Sequence, residues 1–177
     1  MSSILSPPVI HIGLGKTATT SLQSNVFPNI PYLRHEVIYN EKKLVNQLNQ
    51  RWFMTAEEEK NFQASIHLGK HFISLESLVD WNPRGWEKAA EQNLRLFGCN
   101  ATIIITVRDT ESYLCSLYQQ MVHEGNIWSA SNFFVNNAEY KRLAPLLPSV
   151  GLIKFDVDSF DLEFLFKLYA KRFTKVF

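Results

Sequence analysis

Residues 8–20 read Pro-Val-Ile-His-Ile-Gly-Leu-Gly-Lys-Thr-Ala-Thr-Thr, and this stretch is the most informative part of the sequence. An apolar run typical of a buried strand stops at Gly13 and Gly15, and Lys16 and a series of hydroxyl residues follow it. Glycines allow the backbone to turn tightly and to come close to a ligand. Hydroxyl residues favour the start of a helix, whose first amides have no partner within the helix. With the charge of Lys16, these features predict a loop that binds phosphate or sulfate.

Two anion-binding loops end in a similar way, and the spacing of the glycines separates them. The nucleoside triphosphatase loop reads G-x-x-x-x-G-K-[ST], and Gly15, Lys16 and Thr17 match its end. The first glycine of that pattern would fall at Ile10. The loop is therefore shorter at its glycine end than one that wraps a triphosphate.

A second motif follows an apolar, β-branched run at 102–107, which is typical of a strand buried on both faces of a parallel sheet. Arg108 comes at the carboxyl end of this strand, and a helical pattern begins after it. The apolar residues of that pattern predict a core-facing side, and Ser116 lies on a different, more polar side. A guanidinium and a hydroxyl in this arrangement suit a phosphate.

His11, inside the first strand, is predicted to be a hydrogen-bonded core residue.

The two motifs together resemble those of sulfotransferases, which take the sulfuryl group from 3′-phosphoadenosine 5′-phosphosulfate. Residues 13–22 resemble the family's 5′-phosphosulfate loop, which typically reads Pro-Lys-Thr-Gly-Thr-Thr, so Gly15 replaces the proline and Ala18 the glycine. The family also has an arginine after a strand and a serine eight positions later, both on the donor's 3′-phosphate. Arg108 and Ser116 reproduce that spacing, about ninety residues after the loop. The resemblance covers roughly residues 8–120.

The resemblance implies roles for individual residues. Those expected to bind the donor are Gly15, Lys16, Thr17, Ala18, Thr19, Thr20, Arg108 and Ser116. Lys16 would also meet the leaving oxygen of the donor, and no metal is expected. The general base is expected at Glu76, or at Glu36 with its neighbour His35. Each of these carboxylates could instead have no catalytic role: Glu76 could belong to a short turn, and Glu36 could lie at a solvated strand end. The acceptor would be a small molecule or a carbohydrate with a hydroxyl or an amine.

The length and composition are those of a single domain spanning residues 1–177. With 177 residues and 46% hydrophobic content, the chain can bury a sizeable core. Its net charge of +1 predicts neither nucleic acid nor a membrane surface as a partner. Residues 1–8 lack the pattern of a signal peptide, so we expect a cytoplasmic protein. Aromatic residues surround the last predicted helix, which favours its burial against the sheet or against another subunit of a homo-oligomer.

Strand and helix patterns alternate along the chain. Strands are predicted at about 8–13, 30–37, 71–75, 102–107 and 151–155. Helices are predicted from Thr17 to Pro28, at 41–50, after a capping box at Thr55 and Glu58, from Asn82 to Gly98, at 109–124, at 132–143, and from Asp158 or Ser159 to about Arg172. This alternation predicts a three-layer α/β/α fold with a mostly parallel central sheet. The resemblance to sulfotransferases implies that this is their P-loop-like fold. Functional groups should then gather beyond the carboxyl ends of the strands.

The sequence therefore predicts a sulfotransferase that uses 3′-phosphoadenosine 5′-phosphosulfate as its donor. Two alternatives remain open. A small-molecule or nucleoside kinase with a P-loop would bind Mg-ATP at least as well as the sulfuryl donor. A non-catalytic binding domain that retains the fold would bind the donor without turnover.

Overall fold

The computed structural model describes residues 7–31, 37–38, 42–67, 72–144 and 154–177, and its architecture is α/β with a mostly parallel sheet. The main sheet contains β1 (Val9–Gly13), β2 (Val37–Ile38), β3 (Phe72–Ser74), β4 (Thr102–Thr106) and β7 (Lys175–Val176), and a separate pair consists of β5 (Phe134–Val135) and β6 (Phe155–Asp156). The predicted α/β class is confirmed.

The order of the main sheet is β2-β3-β1-β4-β7, and all pairings between its described strands are parallel. The central strand β1 pairs along its whole length with β4, from Val9 opposite Thr102 to Gly13 opposite Thr106. The Lys16 loop follows β1 and Arg108 follows β4, so both lie at the same edge of the sheet. Parallel strands bring their carboxyl ends together, which is where ligands bind in open α/β sheets.

Eight α-helices lie in the described part of the chain. They are α1 (Thr19–Ser21), α2 (Lys42–Asn49), α3 (Ala56–His67), α4 (Trp86–Phe97), α5 (Thr110–His123), α6 (Ala130–Phe133), α7 (Asn137–Leu143) and α8 (Leu162–Ala170). The capping box before α3 is confirmed, because Glu58 accepts from the Thr55 amide at 2.7 Å and the Glu58 amide donates to the Thr55 hydroxyl at 3.3 Å. Asp109 caps α5 by accepting from the Ser112 amide at 2.9 Å.

The core consists of apolar side chains from the strands and from the helices packed on them. Ile10 and Ile12 of β1 are fully buried, as is Trp86 of α4. Tyr113 and Leu117 of α5 are also buried, so the predicted inner side of this helix is correct. Burying one such side chain contributes about 1.5–3 kcal/mol to stability, which fixes α5 and its polar side relative to the loop.

Several predicted element bounds are wrong. The first helix starts at Thr19, not Thr17, because Ala18 is left-handed (φ 63°) and precedes the first helical turn. The following residues, Leu22–Val26, form a π-helical turn. The last helix is capped by Asp161, which accepts from the Phe164 amide at 3.0 Å, rather than by Asp158 or Ser159.

The carboxyl-terminal part of the sheet also differs from the prediction. The predicted helix at 132–143 is interrupted by β5, and α7 restarts after Asn136, which accepts from the Glu139 amide at 2.8 Å. The strand predicted at 151–155 corresponds to β6, which pairs with β5 and not with the main sheet; residues 151–153 lie outside the described residues. The fifth strand of the main sheet is instead β7, which pairs with β4. Of the strand predicted at 30–37, residues 32–36 lie outside the described residues.

Candidate functional site

The Lys16 loop is shaped by left-handed residues that are not glycines. Lys16 has a φ of 69° and Ala18 a φ of 63°, whereas neither Gly13 nor Gly15 has a positive φ. Thr17 lies between them and donates its amide to the Leu14 carbonyl at 3.2 Å. Left-handed residues can turn neighbouring amides toward one side of a loop, and concave backbone of this kind binds anions. The tight turn that the sequence assigned to Gly13 and Gly15 is thus made by Lys16 and Ala18, and binding of an anion stays a prediction.

Lys16 is exposed and extends toward α5. Its Nζ donates to Gln120 Oε1 at 2.8 Å, and the Gln120 amide nitrogen donates in turn to Glu124 Oε1. Within the described ranges, Lys16 makes no ion pair with a carboxylate. A lysine ammonium has three donors, so two remain for an anion.

Arg108 lies beside the loop and is the second residue after β4. Its Nη1 donates to Ser116 Oγ at 2.9 Å and lies 3.4 Å from the carbonyl oxygen of Lys16. Ser116 is one turn before Gln120 on α5, so one side of this helix contacts both cations of the site. The predicted pair of Arg108 and Ser116 is thus in direct contact.

A cavity of about 590 Å³ connects these groups. Its lining residues are Lys16, Thr17, Ala18, Val107, Arg108 and Ser116. The volume is within the range of about 300–1,000 Å³ found for small-molecule sites. Five of the lining residues are among those predicted to bind the donor, and Val107, which is 52% exposed, adds apolar surface.

The threonine hydroxyls of the loop contact protein groups beneath the cavity. Thr17 Oγ1 donates to the Leu14 carbonyl at 2.6 Å and lies 3.1 Å from Thr106 Oγ1. Thr19 is 1% exposed, and its hydroxyl is 3.4 Å from that of Thr17. A Cβ on Gly13 would lie 2.6–3.0 Å from these three hydroxyls, so only glycine fits there. The hydroxyls of Thr17 and Thr19 therefore shape the loop from below.

His11 extends the same network under the sheet edge. It is fully buried, with Nδ1 2.7 Å from Ser74 Oγ and Nε2 3.1 Å from Thr106 Oγ1. Gln23, in the π-helical turn, donates to Ser74 Oγ at 3.0 Å. Burial lowers the pKa of His11 to about 4, because charging a buried imidazole removes it from water. The prediction of a hydrogen-bonded core histidine is confirmed.

Glu76 is close to the loop but does not line the cavity. It begins a 3-10 turn, Glu76–Leu78, directly after β3, and its Oε2 is 4.0 Å from the point where a Gly15 Cβ would lie. Burial, and secondarily the carboxylates of Asp80 and Glu76, raise the pKa of the Tyr113 hydroxyl well above its usual range. Glu76 thus lies at the carboxyl edge of the sheet, close to the loop and to Tyr113 of α5.

The other predicted site residues are placed less centrally. Gly15, Thr19 and Thr20 belong to the loop and to the first helical turn, but none of them lines the cavity in the described part of the chain. His35 and Glu36 lie outside the described residues. Their predicted roles remain predictions.

Sequence reasoning missed Gln120 and Thr106. Gln120 is four positions after Ser116, the spacing at which helix residues share one side, so the helical period contained the signal. In the sequence, Thr106 is one residue of the β-branched run 102–107 and has no signal of its own. Only the strand register, which pairs Thr106 with Gly13, shows that its hydroxyl lies beneath the loop.

No protein-family model, curated protein or solved structure matches this chain. Among the described helices, none is long and apolar enough to cross a membrane. Over the same residues, no three His, Cys, Asp or Glu side chains come together as a metal site.

Proposed function

We propose that this protein is a sulfotransferase of the P-loop-like fold that moves the sulfuryl group of 3′-phosphoadenosine 5′-phosphosulfate to a hydroxyl or an amine of an acceptor. The observation that carries the proposal is that Lys16 and the Arg108–Ser116 pair line a single cavity. The two motifs are 92 residues apart in sequence, and their meeting supports a ligand with two anionic groups.

The residues of the cavity fit such a donor. Lys16 and Arg108 supply two positive charges, and neither has a carboxylate within 4.0 Å among the described residues. Arg108 keeps Nη2 and Nε for a phosphate, because both of its observed contacts use Nη1. A planar guanidinium with free donors suits a phosphate better than it suits a neutral ligand.

The donor supplies a sulfuryl group. In the transfer, the sulfur forms a bond to the oxygen or nitrogen of the acceptor, and the bond between the sulfur and the bridging phosphate oxygen breaks. The electron pair of that bond stays on the leaving phosphate. Lys16 would stabilise this negative charge, and the loop would hold the phosphosulfate in line with the acceptor. Glu76, or Glu36 with His35, would take the proton that the acceptor loses.

Calorimetric titration with 3′-phosphoadenosine 5′-phosphate tests the proposal directly. We expect the native chain to bind it, and Lys16→Ala and Arg108→Ala each to weaken binding at least about tenfold, since each removes a charge-assisted contact of roughly 1.5–3 kcal/mol. Lys141→Ala and Arg142→Ala, which remove one exposed positive charge each on α7, are the matched controls and should leave the affinity unchanged. Absence of binding by the native chain would refute the proposal.

Two further titrations distinguish the alternatives. Mg-ATP that binds as tightly as the adenosine bisphosphate, or more tightly, would favour a kinase. Donor binding without transfer of labelled sulfate to any of a broad set of hydroxyl and amine acceptors would favour a binding domain that retains the fold.

A further inference from the structure

A chain of hydrogen bonds runs beneath the anion loop from Gln23 to Leu14. Gln23 Nε2 donates to Ser74, and Ser74 Oγ is 2.7 Å from His11 Nδ1. On the other side of the ring, His11 Nε2 is 3.1 Å from Thr106 Oγ1. The remaining two links join Thr106 to the Thr17 hydroxyl at 3.1 Å and this hydroxyl to the Leu14 carbonyl at 2.6 Å.

The Leu14 carbonyl, at one end of this series of hydrogen bonds, fixes the direction of the bonds from Leu14 to His11. A carbonyl oxygen can only accept, so the Thr17 hydroxyl uses its one proton on Leu14. The contact between Thr17 and Thr106 then requires that Thr106 donates. Since Thr106 has no second proton, the bond to His11 requires that Nε2 carries a hydrogen and donates it.

The contacts at the Gln23 end are compatible with this assignment. Gln23 Nε2 lies 3.0 Å from both the carbonyl and the hydroxyl oxygen of Ser74, and the carbonyl fixes this nitrogen as the donor. Ser74 therefore accepts from Gln23 and is free to donate its own proton to His11 Nδ1. A neutral imidazole has one donor and one acceptor nitrogen, so with Nε2 as the donor Nδ1 is the acceptor and Ser74 donates to it.

We propose that His11 is a positioning residue for the anion loop: its Nε2–H tautomer orients Thr106 and, through it, the Thr17 hydroxyl that closes the turn at Leu14. The inference deepens the proposed function, because this turn forms the floor of the same cavity. Among the described residues, the His11 ring does not line the cavity and is not hydrogen-bonded to a residue that does, so it acts through Thr106.

The series of hydrogen bonds from Gln23 to Leu14 connects separate segments of the fold. These hydrogen bonds join the ends of β3 and β4 to the loop, and the loop and the residues after β4 line the cavity. Because Gly13 has no Cβ, the hydroxyls of Thr17 and Thr106 have room beside it. Buried hydrogen bonds of this kind hold a site in one geometry before the ligand arrives, which lowers the cost of binding.

Nitrogen NMR of the native chain tests the tautomer without any ligand. Near pH 7, the two imidazole nitrogens of His11 should give the shift pattern of a protonated Nε2 and an unprotonated Nδ1. A protonated Nδ1, or a ring that exchanges between tautomers, would overturn the proposal. The measurement needs no variant, so it does not depend on whether a substituted chain folds.

Amide hydrogen exchange of Thr17 tests the link to the loop, because this amide donates to Leu14. Thr106→Val removes the connecting hydroxyl at nearly constant volume, and Thr106→Ser keeps it as the control. We expect Thr106→Val to speed exchange of the Thr17 amide about tenfold relative to the core amides, and Thr106→Ser to leave it unchanged. Adding His11→Gln to Thr106→Val should then cause no further increase. Unchanged exchange in Thr106→Val, or additive effects in the double variant, would contradict a role that passes through Thr106.

Titration with 3′-phosphoadenosine 5′-phosphate separates this inference from the proposed function. If the native chain binds, Thr106→Val should weaken binding about tenfold and Thr106→Ser less than about twofold. Equal affinities of both variants and the native chain would overturn the positioning role. If the native chain does not bind, the proposed function fails, and the tautomer and the exchange of Thr17 still decide the role of His11.

Discussion

Arg108 Nη1 lies 3.4 Å from the carbonyl oxygen of Lys16, and the same nitrogen donates to Ser116 at 2.9 Å. A guanidinium has five N–H donors, of which these contacts use the two on Nη1. The other three have no hydrogen-bond partner within the described ranges. The arginine is thus anchored to the loop and to α5 by one nitrogen, and its remaining fork is available to a ligand in the cavity.

The contact between Lys16 and Gln120 predicts that a negative charge at position 120 competes with the ligand. Gln120→Glu would put a carboxylate where Lys16 Nζ now meets an amide oxygen at 2.8 Å. We expect it to weaken binding of 3′-phosphoadenosine 5′-phosphate about tenfold or more, because Lys16 must break an ion pair before it can bind the anion. Calorimetry at two salt concentrations measures the effect, which should shrink as salt screens the pair.

Gln119→Glu is the matched control for this substitution. Gln119 is the preceding residue of α5, is exposed, and forms no contact with Lys16 among the described residues. The same change of net charge at this position should alter the affinity less than about twofold. Similar losses from both substitutions would mean that the overall charge of the site decides the affinity, and would remove the specific role of Gln120.

Gly13 and Gly15 should respond very differently to alanine. A Cβ on Gly13 would lie 2.6 Å from Thr19 Oγ1 and 2.7 Å from Thr106 Oγ1, whereas one on Gly15 would meet only Glu76, at 4.0 Å. Gly13→Ala should therefore lower the free energy of unfolding by about 1–3 kcal/mol, as overpacking typically does. Gly15→Ala should change it by less than about 0.5 kcal/mol. Urea unfolding of both variants measures this, and equal losses would contradict the crowding under Gly13.

The sequence predicted the central part of the fold because its signals there are local. The apolar runs of β1 and β4, each followed by a charged residue, identify strands and their carboxyl ends without knowledge of the rest of the chain. The expected meeting of Lys16 and Arg108 then required only that the two strands be neighbours in a parallel sheet. Neighbouring strands hold such ends together, so this part of the site followed from topology.

The missed features depend on contacts between distant segments. The two-residue strand β7 has no pattern of its own, and only its pairing of Lys175 and Val176 with β4 makes it a strand. The same holds for β5, where pairing with β6 overrides a helical pattern. The hydroxyl of Thr106 gained its role only from the register that places it beside Gly13.

Ala18 offers a stabilising substitution within the loop. Its left-handed backbone (φ 63°, ψ 24°) costs a residue with a Cβ about 1–2 kcal/mol, and glycine avoids most of that cost. Ala18→Gly should therefore raise the free energy of unfolding by up to about 1 kcal/mol, after the added flexibility of the unfolded chain is subtracted. Ala138→Gly, at an exposed position in α7, should have the opposite sign and lower it by about 1 kcal/mol. A loss of stability in both variants would contradict the left-handed loop.

His11 should make the stability of the protein depend on pH in the acidic range. Its pKa is about 4 in the folded chain and close to the ordinary value of 6.5 when unfolded. Between these values the unfolded chain binds a proton that the folded chain does not, so the free energy of unfolding falls as the pH drops from 6.5 toward 4. The depressed pKa has no such effect above pH 6.5, where both states are neutral. The difference corresponds to a loss of roughly 3 kcal/mol, at about 1.4 kcal/mol for each pH unit.

Because carboxylates also titrate in this range, the measurement compares the native chain with His11→Gln, which carries no titratable group at position 11. Urea unfolding of both chains at pH 7 and at pH 4 gives four free energies. Whatever the two chains differ by at pH 7, the native chain should lose roughly 3 kcal/mol more than His11→Gln on going to pH 4. Equal losses would mean that the imidazole takes up its proton in the folded state, and that the buried network around Ser74 and Thr106 accommodates a charged ring.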